Sequence, residues 1–189
     1  MDIRWHGTAS IGSKSFTCGH CGFVVAAEKG WFSNDHLEGV QAQVYICPHC
    51  ARPTFFHGKK QIPEVAAGND VQHVPKDVDS LYREARNSIA ASAYTASVLT
   101  CRKLLTNIAV SQGAAAGLSF VEYVNYLADK GFVPPHGKGW VDHIRKKGNE
   151  ATHEIVLMGR DDALELISFI EMLLKFIYEF PAKVPAPKS

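Results

Sequence analysis

Two short motifs constrain the fold of this chain more than any other feature. Cys18-Gly19-His20-Cys21 and Cys47-Pro48-His49-Cys50 both have the form C-x-x-C, and residues 22–46 lie between them. That spacing lets a tight turn present two thiolates to one tetrahedral ion. Each pair has a short β-type run ahead of it, "KSFT" before the first and "AQVYI" before the second. Gly22 follows the first pair, where the backbone must turn back sharply. The pattern predicts a zinc ribbon over residues 1–60, with Cys18, Cys21, Cys47 and Cys50 holding one structural zinc ion per chain. Four thiolates fill every position of a tetrahedral ion, so no open position remains for catalysis. A redox pair or two disulfides are the rival readings. A redox C-x-x-C normally stands alone at the start of a helix. His20 and His49 read as exposed spacers. A ribbon this short cannot bury enough core without its metal.

Charge excludes some partners. The chain has 189 residues and a net charge of +1. Residues 1–75 carry six basic and six acidic side chains, and residues 76–189 fourteen and thirteen. Neither half is a basic module, so whole-chain electrostatics make no case for DNA or a membrane surface. The start, "MDIRWHGTAS", lacks the apolar stretch of a secretory leader. The most apolar run, "ALELISFIEMLLKFIYEF", is broken by Glu165, Glu171, Lys175 and Glu179, which argues against a membrane span. The cysteines do not follow a disulfide framework, and the expected compartment is the cytoplasm.

Residues 61–75, "QIPEVAAGNDVQHVP", read as a linker that opens on a short strand. Helical periodicity begins after Pro75. Val78, Leu81, Ala85 and Ile89 share one face of the first segment, and Val98, Cys101, Leu105 and Ile108 share one face of the second. Ser119 and Glu122 form a capping box for the third. A fourth helix surrounds "WVDHIRKKGNEATH", and a fifth, from Asp161 to Phe180, is apolar around most of its circumference. A helix of that kind sits in the middle of a bundle or in a dimer interface. The expected architecture is therefore mainly α: a small β zinc ribbon, then an antiparallel bundle of about five helices over residues 76–181. Residues 182–189, "AKVPAPKS", read as a disordered tail.

Three places in the helical part invite chemistry. Cys101 lies on the apolar stripe of its helix and reads as a small buried hydrophobe. Arg102 borders that stripe, where a guanidinium calls for an acid, a phosphate or a partner chain. In "HIRKKGNEATHEI", Arg145, Asn149 and His153 recur at intervals of four, which lines them along one helical face. His153 could move protons near neutral pH, Arg145 could hold a phosphate, and Asn149 could orient either. The same residues could equally form a structural hydrogen-bond ladder. Lys138, Arg145, Lys146 and Lys147, with Arg102, are the candidate nucleic-acid contacts.

The ribbon, the helix "SVLTCRKLLTNI" and "IRKKGNEATHE" before a long apolar helix together resemble the bacterial HEPN-like family called domain of unknown function 4145. Gly148, Asn149 and His153 are the most specific piece of that likeness. The resemblance implies a dimerising four- or five-helix bundle in antiviral, restriction or toxin-like systems. It also implies a possible metal-independent ribonuclease site, in which an Arg with an adjacent polar residue is paired with a His. Here Gly148 stands where the Arg before Asn149 is expected, and Arg145 is too far from His153 for that pattern. The chain is thus expected to be a zinc-binding, HEPN-like homodimer, a binding or regulatory component near RNA or other nucleic acid in a bacterial defence or restriction-type system. It would have a protein partner there and no membrane association. A metal-independent HEPN ribonuclease using His153 and Arg145 is the first alternative. A protein-interaction adaptor is the second.

Overall fold

The computed structural model describes residues 3–33, 42–133, 140, 144 and 157–184. The chain divides into two compact units, Met1–Ala66 with Ala90–Ser92, and Ala67–Ile89 with Ala93–Ser189.

The first unit is a sheet. Runs rich in β-branched and aromatic residues form β1 (Ala9–Thr17), β2 (Val24–Phe32), β3 (Ala42–Ile46), β4 (Pro53–His57) and β5 (Lys60–Ile62). They pair antiparallel in chain order, β1-β2-β3-β4-β5. Pro53, which cannot donate to a ladder, takes the first position of its strand. Phe16, Ala27, Tyr45 and Phe56 bury the inner side together with Cys18 and Cys47. The Phe16 and Phe56 rings meet edge to face at 5.0 Å, and Tyr45 meets Phe56 at 5.9 Å. Gly30 pairs with Tyr45, and a Cβ at position 30 would lie 1.8 Å from the Val44 carbonyl oxygen. Only glycine lets β2 and β3 come that close.

The register also builds a row on the other side. Trp31 pairs with Val44, Val44 with Phe55, and Phe55 with Ile62. Directly opposed residues share a face of a sheet, so these four stand side by side across four strands. Trp5 sets its ring edge-on to Trp31 at 5.6 Å.

The second unit is helical: α1 (Lys76–Ala90), α2 (Tyr94–Ser111), α3 (Phe120–Asp129) and α4 (Arg160–Leu174). A π-helical turn, Lys175–Glu179, and a short helix α5, Phe180–Lys183, continue α4. Val98, Cys101, Leu105 and Ile108 of α2 are all buried. The Ser97 hydroxyl donates to the Ala85 carbonyl at 2.9 Å, tying α2 to α1 where small residues allow close approach. Glu122 N–H donates to the Ser119 hydroxyl, and Ser119 N–H to the Glu122 carboxylate at 2.7 Å, so the capping box starts α3. Leu166, Ile167, Phe169, Ile170, Leu173 and Leu174 bury most of α4.

Two carboxylates on the last helix do more than wet its surface. Glu171 accepts from the Asn69 N–H at 2.9 Å, from the Asn69 side chain at 3.0 Å and from Lys175. Glu179 accepts from the Gln72 N–H at 3.0 Å and from Lys183. Arg86 adds bonds to the Ala67 and Gly68 carbonyls at 2.7 and 2.9 Å, and Tyr82 Oη donates to the Asn69 carbonyl. Residues 67–72 are thereby strapped onto the helices. Gly68 has φ +70° and no room for a Cβ, which would lie 2.8 Å from Tyr82 Oη.

The expectation of a mainly α chain with a bundle of about five helices is corrected. Among the described residues a five-stranded antiparallel sheet precedes four principal helices, and 45% of those residues are helix and 20% strand. The strands are longer than the short runs beside the cysteines suggested. β1 starts at Ala9, well before "KSFT", and β2 runs from Val24 through Gly30 and Trp31 to Phe32. Of the helix expected around "WVDHIRKKGNEATH", only Trp140 and Ile144 belong to the described residues. Residues 185–189 of the expected tail lie outside them. No helix among the described residues is long and apolar enough to cross a membrane.

Candidate metal centre

The two C-x-x-C motifs fold into the same turn twice. In the first, Cys18 N–H donates to the Phe23 carbonyl at 2.9 Å and Gly22 N–H to the Cys18 carbonyl at 2.8 Å. In the second, Cys47 N–H donates to the Arg52 carbonyl at 3.0 Å and Ala51 N–H to the Cys47 carbonyl at 2.9 Å. The residue after each second cysteine must take a left-handed conformation to close the turn. Gly22 does so at φ +74° and Ala51 at φ +56°. Glycine adopts that region without a Cβ clash, whereas alanine is strained there.

Other contacts hold the turns in place. A Cβ on Gly19 would lie 2.3 Å from the Pro63 carbonyl oxygen, so backbone passes directly over the first turn. Gln61 donates from its side chain to the Thr17 carbonyl at 2.8 Å, joining β5 to the end of β1. The Trp5 indole N–H donates to the Ala51 carbonyl at 2.6 Å, bracing the strained residue of the second turn.

All four sulfurs lie within 4.8 Å of one another. Cys18 Sγ is 3.8 Å from Cys50 Sγ, and Cys21 Sγ is 3.9 Å from Cys47 Sγ. A metal with bonds of about 2.3 Å to four sulfurs would set them about 3.8 Å apart at tetrahedral angles. A disulfide would require about 2.05 Å. Cys18 and Cys47 are buried and Cys21 and Cys50 half-buried. Burial pushes the Cys50 thiol up to about 12, and the Cys47, Cys21 and Cys18 sulfurs around it push the same way. Cys21 is raised by burial too. For Cys18, burial is outweighed by hydrogen bonds from the backbone at His20 and Cys21 and from neighbouring thiols, and its thiol falls below the ordinary value. One thiolate is thus favoured in the nest, but further thiolates crowd against it. A cation at the centre is what lets all four ionise together.

His20 and His49 are exposed and engaged away from the nest. His20 Nε2 lies 3.0 Å from the Pro53 carbonyl, and the His49 ring stacks on Phe23 at 3.9 Å. Phe56 is core, whereas Phe32 and Phe55 remain exposed. In the helical unit Cys101 is fully buried, and burial pushes its thiol up to about 12. Arg102 lays its guanidinium over the Phe120 ring at 4.2 Å, and burial lowers its pKa. Lys138, Arg145, Lys146, Lys147, Asn149 and His153, with Gly148, lie outside the described residues.

The roles of Ala51 and Trp5 escaped the sequence reading. A signal for Ala51 was available, since it occupies the place in the second motif that Gly22 occupies in the first. Trp5 carries no such mark.

A family model described as Domain of unknown function (DUF4145) matches residues 83–188. No curated protein and no solved structure matches the chain.

Proposed function

The chain belongs to the domain of unknown function (DUF4145) family through residues 83–188, and from that premise we propose that it is a zinc-ribbon, HEPN-like binding or regulatory protein that acts as a homodimer on nucleic acid without cutting it. The observation that carries this reading is the nest of four sulfurs at tetrahedral separations. An all-thiolate set suits zinc, and Cys18, Cys21, Cys47 and Cys50 would hold the ion. When bound, zinc neutralises the crowded thiolates and cross-links the two turns. Its role is structural, because the donor set is complete without a substrate or water. A reducing cytoplasm is the compartment that keeps such thiols available.

Two features support the rest of the reading. Phe176, Phe180 and Val184 recur every four residues at the end of the last helix, and all three are exposed. A second copy of the chain would cover them. Lys59 and Lys60 stand together, both exposed, where β4 turns into β5. That adjacent pair of cations suits a polyanion even though the segment and the whole chain are near neutral. The absence of a cation at Gly148 supports binding over cleavage, and a bacterial defence or restriction-type setting follows from the resemblance.

Metal analysis tests the central claim: purified protein should hold about one zinc per chain, as a single four-thiolate site requires. Cys47→Ser should lose the ion and the ordered sheet while keeping most helical circular dichroism. A metal-free protein with an intact sheet would overturn the zinc reading. Cleavage of RNA in the presence of a chelator, lost in His153→Ala, would overturn the non-catalytic one.

A further inference from the structure

The outer face of the ribbon sheet has a composition that its fold does not need. Its inner face already supplies the core through Phe16, Tyr45, Phe56 and the cysteines. Yet the cross-strand row Trp31, Val44, Phe55, Ile62 places apolar side chains on the other side. Phe55 is 37% exposed, Ile62 45% and Trp5 38%. Strand alternation adds basic side chains beside the row. His57 is two residues from Phe55 and Lys60 two from Ile62, so both share its face, and they pair with each other across β4 and β5. Lys59 stands in the turn that joins them.

We propose that this face is a stacking platform for single-stranded nucleic acid, with bases laid on Trp5, Trp31 and Phe55 and phosphates held by Lys60 and its neighbours in the β4–β5 turn. The proposal rests on the nucleic-acid reading above and names the surface that would serve it. Charge complementarity favours this occupant over a protein. The flanking Lys59 and Lys60 are cationic. The largest members of the row are aromatic, and every base has a π face that stacks on them whatever its identity. Duplex bases are already stacked and paired, so the platform takes single strands. The Trp5 bond to the Ala51 carbonyl ties the platform to the second cysteine turn, which makes its geometry depend on that turn.

The test uses the full, zinc-loaded chain and a fluorescein-labelled oligouridylate of about 15 nucleotides, within the usual span of such sites. Binding is read by anisotropy over a salt series and by quenching of intrinsic fluorescence, since two of the three tryptophans, Trp5 and Trp31, belong to the platform. Phe55→Ala should weaken binding at least about fivefold, and Phe55→Trp should restore it. Lys60→Gln, at the exposed start of β5, keeps the test open if Phe55→Ala fails to fold, and should lower the salt slope by about 0.7. A matched duplex should bind more weakly. If the wild type binds and neither variant changes affinity or salt slope, the platform is wrong and the nucleic-acid reading survives. If the wild type binds no oligonucleotide at low salt, both fall. If Phe55→Ala instead abolishes self-association and leaves oligonucleotide binding intact, the face is a protein contact and the proposal is overturned.

Discussion

Ala51→Gly should tighten the cysteine site, although it removes a side chain. Ala51 sits at φ +56°, a conformation that costs an L-residue with a Cβ roughly 1–2 kcal/mol. Glycine escapes that cost but gains freedom in the unfolded chain, which offsets roughly 0.4–1 kcal/mol. The net stabilisation is about 0.5–1 kcal/mol. In a ribbon whose folding is coupled to its ion, that difference appears in metal affinity as about a twofold to fivefold gain. The twin position supplies the reciprocal experiment. Gly22 has φ +74° and nothing within 4 Å of where a Cβ would lie, so Gly22→Ala introduces strain without a clash. It should weaken affinity by a similar factor. Competition with a chromophoric zinc chelator at neutral pH measures both, and the double variant Gly22→Ala with Ala51→Gly should return near to wild type. A loss of affinity in Ala51→Gly would refute the reasoning, because it would mean that the methyl group packs usefully and that strain does not govern the turn.

Other outcomes follow from the same geometry. Gly30→Ala should cost about 3 kcal/mol or more and release the ion, because its Cβ would collide with the Val44 carbonyl, and limited proteolysis of the sheet would show it. Glu171→Ala should destabilise the helical unit by about 2 kcal/mol in chemical denaturation, since it leaves the Asn69 and Lys175 donors unanswered. Burial raises the Glu171 carboxyl, but the bonds from Lys175 and Asn69 outweigh it and hold the pKa below the ordinary value. Its contribution is therefore complete above the unfolded carboxylate pKa, about 4.3, and disappears as pH falls through the lower folded value. Melting temperature of the wild type should drop across that acid range, and Glu171→Gln should flatten the drop. Phe180→Glu should dissociate the proposed dimer without loss of helix, because Phe180 is exposed, and sedimentation of a wild-type monomer at high concentration would remove the basis for the dimer.

The metal nest was legible because C-x-x-C spacing is a local code: a turn of fixed length fixes where two sulfurs point. The α2 stripe and the α3 capping box were legible for the same reason, as period and cap depend on neighbours three and four residues apart. The extent of the sheet was not. Gly30 reads as a loop signal, yet it is glycine because β3 passes against it, a fact that belongs to residues 44 and 45. Likewise Glu171 and Glu179 look like solvated breaks in an apolar helix. Beyond the lysines four residues on, their donors lie about a hundred positions earlier, and no local pattern couples Asn69 to Glu171.

The strap over residues 67–72 bears on where this chain can be cut. The family model starts at residue 83, inside α1, and helical periodicity starts at Lys76. The fold of the helical unit starts earlier, at Ala67, where Arg86 first grips the backbone. A fragment begun at position 83 would discard Tyr82, which is 1% exposed, and open the core. One begun at Lys76 would keep Tyr82 but lose Val71 from the core and strip the Asn69 and Gln72 donors from Glu171 and Glu179, leaving each carboxylate with only its lysine partner. A fragment intended to be soluble and well folded should therefore begin before Ala67, about sixteen residues ahead of the edge that family similarity marks.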